Sequence, residues 1–276
     1  MELAPGIHSL HVPMEGSFFL RKYPPNVYLV LDGKGVLIDS GYGHEDAVEK
    51  RMGYLKELGS PTISSIIRTH PHPDHMGGAE RLKKATGAKI MIHRNDAEVA
   101  NESMEDTQVD ETFKDRKVVK VGRTELVLVH TPGHTPGHTC VLRRNDGALF
   151  TGDHILGVGT TAIGPERGDM ADYIQSLCKL RKLQINVIYP GHGPPVREPQ
   201  RKIQELIDHR LERERQVLSF LEQGVDTIDG LVEAIYPELD EELLGSARGQ
   251  VQVHLIKLER EGRVEPGDEG RFYPGG

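Results

Sequence analysis

Several absences narrow the classes of protein to which this chain can belong. It has no tryptophan, only two cysteines, and no apolar stretch near the roughly 20 residues that span a bilayer. Cys140 and Cys178 form no closely spaced pair, so we expect neither a disulfide nor a cysteine metal site. The first residues, MELAPGIHSL, lack the basic and apolar regions of a signal peptide. We therefore expect a cytoplasmic protein with no membrane partner.

Charge and aromatic content bear on nucleic-acid binding. The net charge is −8, and residues 198–276 contain 10 basic and 18 acidic residues, so the acidic excess lies in the C-terminal part. An RNA-binding surface needs a basic stripe and exposed aromatic rings, whereas this chain has six phenylalanines and no tryptophan. The composition disfavours a general polyanion binder, although a local basic groove is compatible with it.

The N-terminal part of the sequence alternates strand and helix patterns. Residues 26–41 form a predicted hairpin, 44–59 a helix and 63–69 a buried strand. Next come a helix, a strand and a polar segment without a predicted element from Asn101 to Lys117. They are followed by four strand-like runs, a helix over residues 169–182 and a last strand. This order predicts an α/β fold of the αββα sandwich type, with functional loops at one edge of two facing sheets.

The character of the sequence changes near residue 199, where we expect a domain boundary between residues 1–199 and 200–276. The second part predicts helices over about 200–223, 227–235 and 240–261, followed by a hairpin. The third helix carries an apolar stripe composed of Leu244, Ala247, Val251, Leu255 and Leu258. Three helices and a terminal hairpin predict a small winged-helix-like domain.

The segment Thr69–Gly78, THPHPDHMGG, is the most informative motif because four potential metal ligands lie within the seven positions 69–75, directly after a strand. Pro71 and Pro73 restrict the preceding residues to extended geometry, so the rings of His70 and His72 can reach the same side. Pro73 also suits the first turn of a helix, which would direct Asp74 and His75 toward a second metal.

Three later sequence motifs each supply one further candidate ligand after a strand-like run. They are TPGHTPGH with His134, LFTGD with Asp153, and YPGHG with His192. Each is weak alone, but together they complete a set of nitrogen and oxygen donors without thiolate. Such a set suits zinc, with manganese or iron as alternatives. The sequence therefore predicts two metal ions per chain.

With these motifs the chain resembles the metallo-β-lactamase-fold hydrolases over residues 5–200. The resemblance implies that His70, His72 and His134 hold the first metal, that Asp74, His75 and His192 hold the second, and that Asp153 bridges both. The tail, notably GQVQVHLIKLEREGRV, further resembles the β-lactamase-like protein 2 branch, in which a winged-helix domain follows the catalytic one.

A two-metal site of this kind implies hydrolysis by a metal-bridging hydroxide, because two divalent cations lower the pKa of a shared water from about 15.7 toward 7. Asp74 is the candidate catalytic residue that orients the hydroxide and shuttles its proton. No serine nucleophile is expected, since the sequence has no G-x-S-x-G motif. Three further residues are candidates for supporting the ligands or contacting substrate: Asp39, His138 and His154.

Several functions fit the resemblance. We favour a small acyl substrate, such as a thioester, ester or lactone, over single-stranded RNA, because the acidic tail and scarce aromatics disfavour RNA. A β-lactamase is disfavoured because those enzymes act outside the cytoplasm and lack the bridging carboxylate. An iron dioxygenase could draw two histidines and one carboxylate from the same set. A flavodiiron protein is disfavoured because it would carry an acidic residue at His72 and a flavin domain.

A non-enzymatic winged-helix regulator is the remaining alternative. Its third helix and wing should be basic, yet acidic residues outnumber basic ones in both, so we expect no DNA partner. An intact set of seven ligands also argues for catalysis. We expect the tail instead to pack on the catalytic domain, to wall the substrate cleft or to contribute to a homodimer.

Overall fold

The computed structural model describes residues 1–13 and 18–275, in which two compact units can be distinguished. The first contains Met1–Thr131, Gly137–Thr160 and Gln184–Pro199, and the second contains Pro132–Pro136, Thr161–Leu183 and Gln200–Gly276. None of the helices in the described residues is both long and apolar enough to cross a membrane.

Two β-sheets form the first unit. The larger sheet has seven strands in chain order: β1 (Glu2–Ala4), β2 (Ile7–Ser9), β3 (Tyr28–Asp32), β4 (Lys34–Ile38), β5 (Ile63–Ile67), β6 (Lys89–His93) and β7 (Glu111–Phe113). The smaller sheet has the order β12-β11-β10-β9-β8, with strands β8 (Lys117–Val121), β9 (Thr124–His130), β10 (Thr139–Arg143), β11 (Ala148–Gly152) and β12 (Val187–Pro190).

The side chains of the larger sheet alternate between two apolar cores, because successive residues of a strand point to opposite faces. Val30, Val36 and Ile38 belong to the core that also contains Leu128 and Phe150 of the smaller sheet. The opposite face packs against helices α2 (Glu45–Glu57) and α4 (Ala79–Thr86), in a cluster that contains Leu29, Leu37, Leu55, Ile66 and Leu82. Both faces are covered, which explains why these strands appear as almost continuous apolar runs.

The topology brings several strand ends to one edge. Strands β4 to β7 pair in parallel, with Val36 opposite Ser65 and Ile67 opposite Met91. Strands β11 and β12 are also parallel. Residues that follow the carboxyl ends of these strands therefore emerge on the same side of each sheet, which is where the candidate ligands lie in the sequence.

The remaining helices of the first unit are short: α1 (Phe18–Lys22), α3 (Pro73–Met76) and α5 (Ala97–Glu102). The polar segment predicted over residues 101–117 is wrong in part, because it contains the end of α5 and strand β7. Strand β7 spans only three residues, and it pairs in parallel with β6, with Met91 opposite Glu111. A three-residue strand that extends the sheet at its edge leaves little alternation for the sequence to show.

The second unit is mainly helical. It contains α6 (Met170–Arg181), α7 (Pro199–Glu222), α8 (Ile228–Ile235), α9 (Leu244–Arg260) and the hairpin β13 (Val264–Pro266) and β14 (Phe272–Pro274). The Thr227 side chain accepts a hydrogen bond from the Gly230 N–H at 3.2 Å, which caps α8 as the sequence predicts. The third predicted helix begins as a 3₁₀ turn over Glu241–Leu243 before α9.

The predicted apolar stripe of α9 forms the core of this helical region. Ala247, Val251, Leu255 and Leu258 are buried, and Leu244 packs against them while partly buried. They contact apolar residues of α7, α8 and β13, which are Val217, Leu221, Leu231, Val232 and Val264. The stripe predicted from helical spacing is confirmed.

Candidate metal centre

The histidine-rich loop connects β5 to α3 in the geometry that its prolines impose. His72 has extended backbone angles, φ −68° and ψ 145°, and Pro73 is the first residue of α3. The two glycines after α3 allow a close backbone approach: a Cβ on Gly77 would lie 2.7 Å from the Pro73 carbonyl oxygen, and one on Gly78 would lie 2.6 Å from that of Ser40. The loop therefore packs directly against the segment that follows β4.

The structure brings all seven predicted ligands into two groups that share Asp153. Ligand atoms of the first group, His70, His72, His134 and Asp153, all lie within 4.8 Å of one another. The same limit holds for the second group, Asp74, His75, Asp153 and His192. Each residue follows a strand end or begins a short helix, so the fold gathers groups that are up to 122 residues apart in sequence.

Hydrogen bonds on the far side of the rings define which nitrogen faces the centre. His192 Nδ1 lies 2.9 Å from the Tyr23 carbonyl oxygen, and His134 Nδ1 lies 2.8 Å from the Ala162 carbonyl oxygen. A carbonyl oxygen only accepts, so each Nδ1 carries a proton, and in the neutral ring Nε2 carries the lone pair. This is the tautomer that a metal-binding imidazole requires.

Asp39 fixes the tautomers of two further ligands, His75 and His70, from one carboxylate. Its Oδ2 lies 2.8 Å from His75 Nδ1 and accepts the Thr69 hydroxyl hydrogen at 2.9 Å, while its Oδ1 accepts the Thr69 N–H at 2.8 Å. Because the Thr69 hydroxyl donates to Asp39, it accepts from His70 Nδ1 at 2.9 Å. Asp39 thus orients His75 directly and His70 through Thr69. Its backbone has a φ of 61°, a left-handed conformation that directs the carboxylate toward the loop.

Lone pairs and negative charges converge in the second group. His75 Nε2 lies 3.3 Å from His192 Nε2 and 3.1 Å from Asp153 Oδ1, and His192 Nε2 lies 3.1 Å from Asp74 Oδ2. Nitrogen lone pairs and carboxylate oxygens at these distances repel one another unless positive charge lies among them. Protonation of a ring or a bound cation would supply that charge, so the donor set fits a divalent metal.

The pKa shifts in the second ligand group also indicate a site that attracts positive charge. Burial alone would lower the pKa of His75, but the carboxylates of Asp153, Asp74 and Asp39 outweigh it and raise that pKa well above its usual value. For His192, burial is likewise outweighed, chiefly by the hydrogen bond with Asp74, and the pKa is raised. Burial would raise the pKa of Asp74, but His75 and His192 lower it. The site therefore favours ionised carboxylates that attract a cation.

The other two candidate residues lie behind the ligands. His138 and His154 are both fully buried, with ring centroids 5.5 Å apart. His138 Nδ1 lies 3.0 Å from the Thr131 hydroxyl, and its ring centroid lies 5.4 Å from that of His70. Neither side chain is exposed to solvent. Both rings therefore lie in the interior of the first unit, and their predicted role near the ligands stays a prediction.

Sequence reasoning missed two features of the site. Thr69 relays the orientation from Asp39 to His70, and its position directly before the first ligand was the available signal. Arg68 is also fully buried, with Nη1 3.7 Å from Met104 Sδ and Nη2 in contact with Met76 Sδ. Burial lowers its pKa to about 10, although Asp39 and Asp96 raise it in part. An arginine after an apolar strand gave no sign that it would be interior.

The fold and this cluster define a class of protein: an α/β sandwich with a histidine- and aspartate-lined divalent-metal centre at one sheet edge. The model of the Metallo-beta-lactamase superfamily matches residues 20–192, and that of the Beta-lactamase associated winged helix domain matches residues 227–271. The chain belongs to the metallo-beta-lactamase superfamily. The expected fold class, including the winged-helix region, is confirmed.

Several proteins that are similar to this chain over most of its length have related names. The Beta-lactamase-like protein 2 homolog of Drosophila melanogaster is 35% identical over 264 residues, which cover 90% of this chain and 87% of the relative. The Atrochrysone carboxyl ACP thioesterase of Aspergillus fumigatus is 33% identical over 231 residues, which cover 78% of this chain and 69% of the relative. The resemblance to the β-lactamase-like protein 2 branch is therefore confirmed.

Solved structures share the fold. A metallo-beta-lactamase family protein from Thermus thermophilus has a TM-score of 0.78 at 25% identity, covering 99% of this chain and all of the other. A beta-lactamase domain protein from Burkholderia ambifaria has a TM-score of 0.86 at 22% identity, covering all of this chain and 93% of the other. The second similarity concerns the fold alone.

Proposed function

We propose that this protein is a dinuclear metal-dependent hydrolase. The observation that carries the proposal is the pair of ligand groups that share Asp153, in which backbone carbonyls and Asp39 orient the histidine nitrogens. His70, His72 and His134 would hold one cation, Asp74, His75 and His192 the other, and Asp153 both. The all-nitrogen-and-oxygen donor set favours zinc.

The protein's own groups supply binding and proton transfer. When bound, two divalent cations activate a shared water at neutral pH and polarise the scissile bond of the substrate. Asp74 would orient that water and take up its proton, because its carboxyl is ionised at neutral pH: His75 and His192 outweigh the effect of burial and lower its pKa. Asp39 and Thr69 hold the rings of His75 and His70 in one tautomer, so this part of the site needs little reorganisation during the reaction.

We propose a small acyl substrate: a thioester, an ester or a lactone. Two observations support it: the similarity to a relative named as an acyl carrier protein thioesterase, and a net charge of −8 that disfavours polyanionic RNA. We also propose that residues 1–199 form the metal-binding domain and residues 200–276 the winged-helix domain. We propose a cytoplasmic location; among the described residues, Cys140 and Cys178 form no disulfide, which is compatible with it.

Parallel assays on the zinc-loaded full chain test the function. An acyl thioester, a lactone, a cephalosporin and a single-stranded RNA would be offered at equal concentration to the wild type and to Asp74→Asn. We expect turnover of the thioester or lactone, with loss of at least about 100-fold in the variant. RNA cleavage with no acyl turnover would contradict the acyl substrate, and hydrolysis of none of the four would contradict a hydrolase with these substrates.

A further inference from the structure

A second cavity lies in the first unit, away from every predicted metal ligand. It has a volume of about 470 Å³ and lies between the segment that follows β2 and helix α2. That volume is within the range of about 300–1,000 Å³ that is common for small-molecule sites. Leu10, Val12 and the ring of Tyr54 form apolar walls, and Arg51 also lines the space. The cavity is large enough for a ligand with an organic body.

Arg51 is the unusual group in this lining. Its side chain is only 1% exposed, and its Nη1 donates to the Tyr42 carbonyl oxygen at 3.1 Å. Its Nε has no hydrogen-bond partner, and among residues 1–13 and 18–275 no carboxylate forms an ion pair with it. A buried guanidinium without a counter-ion is costly, because the protein does not replace the hydration of its charge.

Arg51 nevertheless keeps its charge at neutral pH. Burial lowers its pKa, with a partial increase from Asp46, to about 10. The backbone holds the guanidinium in place, since a Cβ on Gly41 would come within 2.1 Å of Nη2. Arg51, at the wall of this cavity, is therefore a fixed cation whose Nε has no hydrogen-bond partner.

The rest of the lining is mixed in charge. Lys50 adds a second cation, although its Nζ lies 3.6 Å from Asp46 Oδ2 and its side chain is exposed. Glu57 contributes one negative charge to the lining and is exposed. Gly53 leaves the space open, because a Cβ there would meet nothing within 4 Å. Glycine is among the least favourable residues in a helix interior, and no close packing around this one accounts for it.

We propose that this cavity is a binding site for a small organic oxyanion, a carboxylate or a phosphate ester, whose charged group pairs with Arg51. A planar guanidinium binds either oxyanion through two parallel hydrogen bonds. The apolar walls would contact the organic part. This site is separate from the metal centre and does not depend on the proposed hydrolysis.

Isothermal titration of the zinc-loaded full chain with benzoate and with phenyl phosphate tests the proposal. The two probes share a ring and differ in the oxyanion, so the probe that binds identifies the charged group. We expect saturable binding of at least one probe and a Kd at least tenfold higher in Arg51→Met. Lys56→Met is the matched control, because Lys56 is an exposed cation on the same helix outside the cavity lining, and its Kd should change less than twofold.

Two further variants test the proposal without changing Arg51, whose replacement could also affect folding. Gly53→Leu fills the cavity while Arg51 stays in place, so it should raise the Kd at least tenfold. Glu57→Gln removes the negative charge from the lining and should tighten binding by about 2- to 5-fold. Equal Kd values in the wild type and Gly53→Leu would overturn the proposal, since the probe would then bind elsewhere. Failure of both probes to saturate the wild type below about 10 mM would also overturn it.

Discussion

Replacing Asp39 by asparagine should weaken metal binding without changing any direct ligand. The Asp39 carboxylate accepts from His75 Nδ1 at 2.8 Å and from the Thr69 hydroxyl at 2.9 Å. An asparagine oxygen can still accept from the Thr69 N–H, but its NH₂ group would then face two donors. His75 would relieve this conflict by moving its proton to Nε2, where it blocks the metal. Asparagine also tolerates the left-handed backbone at φ 61°, so the change isolates the hydrogen bond.

Two independent estimates of the loss in zinc affinity agree. A hydrogen bond to a charged group contributes about 1.5–3 kcal/mol, which corresponds to a factor of about 10–150 in Kd. Loss of a partner behind a metal-bound histidine costs about 10–100-fold in metal affinity.

Competition with a chromophoric zinc chelator would measure the Kd of wild type and Asp39→Asn. Asp32→Asn is the control, because Asp32 also accepts backbone hydrogen bonds, from Arg123 and Thr124, at a distance from the histidines. Zinc affinity within twofold of wild type in Asp39→Asn would refute the reasoning.

Three other predictions concern the shared ligand, acid stability and the helical core. Asp153→Ala should lose one of the two zinc ions, as measured by metal analysis, and nearly all turnover, as measured by assay. Full metal content in this variant would contradict the bridging role. Burial lowers the pKa of His209 to about 4, so the unfolded chain binds its proton first. The free energy of unfolding should therefore fall by about 1–2 kcal/mol between pH 6.5 and 4, a range reduced because His209 is partly exposed and solvent screens its charge. The slope should be smaller in His209→Gln in urea titrations. Leu255→Ala should cost about 2–5 kcal/mol in the same titrations because Leu255 is buried, whereas the exposed Leu211→Ala should cost under about 0.5 kcal/mol.

The features of the fold that the sequence shows are those with a repeated pattern. The stripe on α9 and the buried strands recur at regular spacing, and Pro71 and Pro73 restrict the chain locally, so these were predictable. Strand β7 was not, because three residues in a polar segment carry no period, and only pairing with β6 makes them a strand.

The site divides in the same way. The ligands were recognisable because histidine and aspartate side chains are the groups that bind the metal, and because they stand in short motifs directly after strands. The roles of Thr69 and the Tyr23 carbonyl depend on which segments meet in space, which no local pattern encodes. Arg51 is a sharper case. An arginine on a predicted helix is usually solvated, whereas here the Gly41 backbone approaches the guanidinium and the side chain is interior.

Anomalous diffraction at the zinc edge, from crystals of the zinc-loaded full chain, tests the central claim most directly. The account predicts two peaks about 3.5–4 Å apart, with Asp153 between them and each within about 2.0–2.2 Å of its nearest ligand atoms. A single peak, or two peaks away from Asp153, would contradict it.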